Sequence, residues 1–433
     1  RSLIVTGVQT CALPICDFLG LSDEEADRWE SNVEREFRLW AESADCDASR
    51  TLNFTAMQEL VFRSTLENGD CFILMPCIMR ANNPYSLCLQ IIEADRVCNK
   101  DHVRDSDTLV AGVQKDINGA PVEYHILKSH PGNLYSAKKY EWSVVPAFGG
   151  VTGRRNVIHL YKVMRPGQTR GVPYLAPVIE SLKQLGNYTD AEIMAAVVSG
   201  CFTVFVKSPQ GETDLSPMQS KEETGGNLND PDYKLGNGAI VGLAEGEDIS
   251  TANPGRPNAQ FDPFVQAVLR QIGVALELPF EVLIKHFTAS YSAARAALIE
   301  AWRFFMTKRE WLAQHFCQTV YEAWLSEAVA LGRIQAPGFI NGDAAIRAAY
   351  LASEWTGPAP GQLDPLKEIQ AAKERVELGV STLSRETAAL TGEEWEKTHK
   401  QATKEKRMRE EMGLNTAPRS GYPADKEEEE TDT

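Results

Sequence analysis

Apolar residues recur every three or four positions along residues 17–42, where Phe18 and Leu21 lead into Trp29, Val33, Phe37 and Trp40. This spacing predicts an amphipathic helix, and Ser22 followed by Glu25 resembles a capping box near its start. A second helix is predicted over Phe54–Asn68, closed by Gly69, because glycine takes the left-handed conformation of a helix end without strain. The period then shortens. CFILMPCIM (71–79), SLCLQII (86–92), TLVAGVQKD (108–116), VEYHILK (122–128) and NVIHLYKV (156–163) are apolar or alternating runs bounded by Asn, Gly, Pro and Asp, as strands are. Asn118-Gly119 between two of them predicts a hairpin, since a tight turn needs positive φ. Residues 17–163 therefore read as a mixed α+β region.

Turn-rich RPGQTRGVPYLAP (165–177) leads into a predicted helix over 178–199. Strand-like CFTVFVK, a polar loop over 208–238 and strand-like AIVGLAEGEDIS follow. A helix resumes over 261–276 with Phe264, Val268 and Ile272 on one face, and Pro279 closes it. Residues 293–331 contain neither Gly nor Pro, and Leu298, Trp302, Phe305, Leu312, Phe316, Val320 and Trp324 keep helical spacing. Such a helix would span roughly 60 Å, long for an ordinary globular domain and suited to an extended assembly element, with or without a bend. Two or three charged helices with breaks at Gly379 and Gly392 complete the pattern. Residues 415–433 contain Pro and are acidic, the composition of a disordered tail.

Composition narrows the function more than the fold. A chain of 433 residues with 43% hydrophobic content can fill a core. Its net charge of −16 disfavours simple adhesion to nucleic acid or to an anionic membrane. Nine cysteines without a CxxC pair read as thiols in a reducing compartment, not as a disulfide scaffold or zinc site. No window approaches the length of apolar chain that spans a bilayer. Between Lys207 and Asp248 nine acidic residues face three lysines, so this excursion is an acidic patch or, more blandly, a solvated loop.

Chemistry is hard to find. The chain has no GxxxxGK[ST], HExxH, GxSxG or Rossmann glycine fingerprint. His102, His125, His130, His159, His286, His315 and His399 stand at no ligand spacing, and a structural role is the better reading for each. Arg165 and Arg170 flank a turn containing Pro166, Gly167 and Gly171 and could hold a phosphate or carboxylate. The favoured reading is a strand-to-helix connector whose arginines pair with neighbouring acids. No enzyme, metal or cofactor is expected.

Several blocks together resemble the lambda-type portal proteins of tailed bacteriophages: EREFRLWAESADCDA, ENGDCFILM, LQIIEADRV, NVIHLYKVMRPGQTRGVPYLAPVI, HFTASYSAARAALIEAWRFF and EWTGPAPGQLDPLKE. Their order and approximate spacing agree with that family over residues 17–414, and RPGQTRGVP and YSAARAAL are the more specific signals. The resemblance implies a homo-oligomeric ring, typically of twelve subunits, at one capsid vertex of the virion. Double-stranded DNA would pass through it without sequence specificity, driven by a large terminase subunit. The ring would assemble in the host cytoplasm with the major capsid or scaffolding protein and later join a head-completion or neck protein, with no membrane involved.

On that resemblance residues 17–177 are the wing, 178–200 and 261–283 the paired stem helices, and 201–260 the clip. Residues 293–365 would be the long helix and wing completion, and 366–414 crown-like helices. The clip would turn Glu212, Asp214, Glu222, Glu223, Asp230 and Asp232 towards the motor. Residues 284–292 would be the channel loop, where Lys285 and His286 touch phosphate transiently ahead of Phe287, Thr288, Ala289 and Ser290. A soluble enzyme with an unrecognised carboxylate site and a helical scaffold or adaptor are the competing classes.

VTGVQTCALPI (5–15) stands outside this pattern. Its apolar run is broken by Thr6, Gly7, Gln9 and Thr10 and has no basic leader, so it does not read as a signal peptide. It also resembles a frame translation of a common sequencing-library adapter, and residues 1–16 are expected to be non-native sequence replacing the true N-terminus. Resequencing the locus without that adapter should return different codons here; recovering the same codons would refute the expectation.

Overall fold

In the computed structural model, residues 7–10, 19–133, 135, 140–200, 204–207, 248–251, 258–286, 291–361, 364–393 and 395–413 are described. They form two compact units, one made of Arg1–Pro173 with Trp302–Thr433 and the other of Tyr174–Ala301. The first is discontinuous in sequence, with the second inserted into it.

The N-terminal stretch contributes β1 (Gly7–Thr10). Helix α1 (Asp23–Glu42) starts later than apolar spacing suggested, because the Ser22 amide donates to Glu25 Oε2 at 3.0 Å and fixes the helix start there. Helix α2 (Phe54–Asn68) runs as predicted from Asn53, whose side chain accepts the Ala56 amide, to Gly69 at φ 87°. Strand β2 (Asp70–Leu74) follows at once, and the predicted run beyond Leu74 leaves the sheet. After β3 (Gln90–Ile92), the run 108–116 is two strands, β4 (Leu109–Val110) and β5 (Val113–Lys115). It folds back at Ala111 and Gly112, both with positive φ. A Cβ on Gly112 would lie 2.6 Å from the Cys98 nitrogen, so only glycine fits. The Asn118-Gly119 turn carries β5 into β6 (Pro121–Leu127) as expected. Sequence periodicity misses β7 (Trp142–Pro146), whose mostly exposed side chains leave no alternation to read. With β8 (Val157–Tyr161), the strands form one antiparallel sheet ordered β3-β2-β8 and another ordered β4-β5-β6-β7.

The inserted unit contains α3 (Ile179–Gly200), β9 (Val204–Lys207), β10 (Asp248–Thr251), α4 (Phe261–Ala275) and α5 (Phe280–Ile284), with β9 and β10 antiparallel. The helix expected over 261–276 and closed by Pro279 ends at Ala275, and the remainder of the 261–283 segment is the separate helix α5. The chain returns along α6 (Tyr291–Leu312), a π turn over Ala313–Cys317 and α7 (Gln318–Ala330). The expected single helix is thus a continuous path whose Gln318 amide reaches five residues back to the Ala313 carbonyl. Helix α8 (Ala344–Leu351), not anticipated, precedes β11 (Ser353–Thr356), which pairs antiparallel with β1. The charged segment forms α9 (Pro365–Glu377), α10 (Leu383–Thr391) and α11 (Trp395–Glu411), separated at Gly379 and Gly392, both with positive φ.

The main core joins residues far apart in sequence. Phe37 of α1 meets Trp324, Tyr321, Phe54 and Trp355 edge-on, with ring centroids 5.0, 5.6, 5.9 and 6.1 Å away. Trp40 Nε1 donates to the Leu87 carbonyl at 3.0 Å. A second small core of Phe72, Ile92, Val97, Val113, Tyr124, Ile126, Ala147 and Val157 lies between the two sheets. Phe37→Ala should lower urea-unfolding stability by about 3–5 kcal/mol. The exposed neighbour Leu39→Ala should stay within about 0.5 kcal/mol.

Candidate functional site

The strand-to-helix connector is built around one buried carboxylate. Asp70, first residue of β2, keeps 2% of its side chain exposed. His159, two residues before the end of β8, reaches its Oδ2 from the paired strand at 3.2 Å. Arg170 donates through Nε to Oδ2 and through Nη2 to Oδ1. Its remaining protons go to the carbonyls of Val97 (2.9 Å), Ala111 (2.7 Å) and Ala94 (3.1 Å), so all five guanidinium N–H groups have acceptors. The guanidinium also lies 5.0 Å over the Phe72 ring, which stacks on His159.

Glycine makes the approach possible. A Cβ on Gly171 would sit 2.0 Å from the Gly69 carbonyl oxygen, and one on Gly69 would sit 2.5 Å from the Val172 backbone. The Gly171 amide donates to Asp70 Oδ2 at 3.2 Å. Upstream, Gly167 turns at positive φ, and Gln168 closes the turn by accepting the Met164 amide and donating to the Arg170 carbonyl. The two arginines do not converge. Arg170 is the acid-paired structural residue, whereas Arg165 and Pro166 are exposed.

Burial pushes the Asp70 carboxyl upward, and the hydrogen bonds from His159 and Arg170 outweigh it, holding the carboxyl at about 2. His159 is pushed below its ordinary value by burial, against the pull of Asp70. Sequence reading missed this node because its members lie far apart, although an aspartate opening an apolar strand run was a signal.

In the inserted unit, Tyr188 of α3 packs on Phe261 and Phe264 of α4, with centroids 5.6 and 4.8 Å away. Asn258 Nδ2 donates to Glu192 Oε1 at 2.7 Å. Val178, Ile272 and Leu276 form a small buried core, and the Tyr174 hydroxyl donates to the Leu276 carbonyl. The opposite face of α3 exposes Ile179, Leu182, Ile193 and Val197 in helical register. Lys285 and His286 are exposed; Lys285 ends α5 in the left-handed conformation at φ 54°. Phe287, Thr288, Ala289 and Ser290 lie outside the described residues, as do the acidic Glu212, Asp214, Glu222, Glu223, Asp230 and Asp232 and the tail 415–433. No cluster able to hold a metal occurs among the described residues, and none of their helices is long and apolar enough to cross a membrane.

The family model for phage portal proteins of the lambda family matches residues 1–309. Portal protein B of Escherichia phage lambda is 26% identical over 97% of this chain and 82% of its own length. The portal protein of Escherichia phage N15 is also 26% identical, over 93% of this chain and 78% of its own. The neck of a native gene transfer agent particle, computed with C12 symmetry, has a TM-score of 0.42 and 15% identity, covering 82% of this chain and 89% of that one. The chain belongs to the lambda family of phage portal proteins.

Arg170→Ala leaves Asp70 buried without its main partner and should cost about 3–5 kcal/mol. Acid should destabilise the same node. Asp70 titrates lower folded than unfolded, so its contribution is full above about pH 4 and lost as pH falls towards 2. The depressed His159 adds stability that fades as pH drops below about 6.5. Unfolding stability should therefore fall from neutral to acidic pH, and Asp70→Asn should flatten the acid limb below pH 4.

Proposed function

We propose that this chain assembles into a closed ring, of twelve subunits on the family resemblance, that forms the DNA channel at one capsid vertex. The family match over residues 1–309 carries the reading. The exposed apolar face of α3 supports it: Ile179, Leu182, Ile193 and Val197 are about half exposed among the described residues, and a neighbouring copy would cover them. The connector and the strand-rich region would be the wing, α3 with residues 261–283 the stem, residues 201–260 with β9 and β10 the clip, and α9 to α11 the crown. Terminase would dock at the acidic clip and neck proteins would follow it after packaging, with capsid or scaffolding protein around the ring in the virion.

Net charge gives the conduit its character. Twelve copies at −16 total about −192, and like charge at short range keeps a duplex from adhering to the wall. Lys285 and His286 would supply the transient phosphate contacts.

Size-exclusion chromatography with light scattering should give a mass near twelve subunits; a stable monomer or dimer would refute the ring. Leu182→Asp with Ile193→Asp should shift that mass to small species while leaving the circular dichroism spectrum unchanged. Replacing Lys285 and His286 by Ala should slow packaging or weaken DNA retention, and unchanged values for both would remove these residues from the mechanism.

A further inference from the structure

A groove of about 710 Å³ opens in the first unit between the segment following β7 and helices α7 and α8. Its walls carry Arg154, Arg155 and Arg347, and no ion pair to any of them occurs among the described residues. Two of the three are held out on aromatic ledges, Arg155 4.9 Å over Phe148 and Arg347 5.4 Å over Phe339. Arg154 is fixed by the Met75 carbonyl at 3.1 Å and the Cys77 sulfur at 2.9 Å, and its buried Nε has no partner. Beside them the rim exposes apolar Phe148 and Ile340. Two carboxylates also line the groove. Glu327 accepts the Ser86 hydroxyl and the amides of Ser86 and Leu87, so with Glu322 two acids line the groove against three guanidinium groups.

Preformed arginine forks beside an apolar ledge are suited to an acidic peptide with an aromatic residue near its charges. The chain carries such a segment: Tyr422 and Pro423 precede Asp425, Glu427, Glu428, Glu429, Glu430 and Asp432, with Lys426 the only cation among them. It follows α11, which belongs to the same unit as the groove. Eight residues lie between Gly413 and Tyr422, a tether of up to roughly 30 Å.

We propose that this acidic C-terminal segment docks in the Arg154–Arg155–Arg347 groove, with Tyr422 against Phe148 and Ile340.

Cys77 lines the groove and is exposed, which makes it a local reporter. In the full-length protein, its alkylation by iodoacetamide can be followed by peptide mapping, with buried Cys317 as the folding control. Replacing Glu427, Glu428, Glu429 and Glu430 by Gln should speed Cys77 alkylation about fivefold, as should raising salt to roughly 0.5 M, while Cys317 stays unreactive. Arg155→Glu with Arg347→Glu should give the same release. Changing the four glutamates to Lys in that background should slow alkylation again. Equal Cys77 rates with native and neutralised segments would overturn the proposal, and slow alkylation in both would assign the groove to another partner and overturn it equally.

Discussion

A carboxylate as enclosed as that of Asp70 persists only where opposite charge and hydrogen-bond donors reach it, because an unpaired buried charge is far too costly. That demand organises the first unit. It draws the Arg170 guanidinium inward, and the guanidinium in turn requires carbonyls from the loops at Ala94, Val97 and Ala111. Gly69 and Gly171 have to be glycine for the two backbones to meet. The result is a fixed point a few residues before Tyr174, where the second unit begins. At the return, Arg309 is likewise buried and donates to the Pro358 carbonyl at 2.9 Å, pressed against Gly357. Both ends of the insertion are therefore held by arginines whose role is structural.

Much of the fold was legible because its signals are local. Asn53 and Gly69 bound α2 by capping chemistry that involves only neighbouring residues. Gly379 and Gly392 end charged helices for the same reason. The strand pairings and the Asp70 node were not legible, since Arg170 lies a hundred residues from its partner and nothing local couples them. Strand β7 escaped because an exposed edge strand has little apolar pattern. The family resemblance rested on blocks such as ENGDCFILM and RPGQTRGVP, which contain Gly69, Asp70, Arg170 and Gly171. In the structure those blocks meet at the joint, although the spacing of their residues did not reveal it.

Charge is distributed as unevenly as structure. The unit Tyr174–Ala301 carries sixteen acidic residues against eight Lys and Arg, which is half of the whole chain's net charge. The first unit contains the folded core and the internally neutralised ion pairs, such as Glu36 with Arg333 and Tyr85. The second unit thus carries half of the net charge on fewer than a third of the residues, whereas the larger cores lie in the first.

The π turn at Ala313–Cys317 has a geometric consequence. Leu312, Phe316, Val320 and Trp324 are spaced strictly by four, and all are buried. In an unbroken α-helix that spacing would drift by roughly 40° at each step and carry the row off the core. One extra residue in the widened turn takes up part of this drift and turns everything before it by about 100° about the axis. Faces of α6 and α7 are thereby set independently on a single rod. Loss of one residue there would leave the packing of α7 intact and point Trp302 and Arg309 in a new direction, so the turn acts as an angular adjustment between the two halves of the helix.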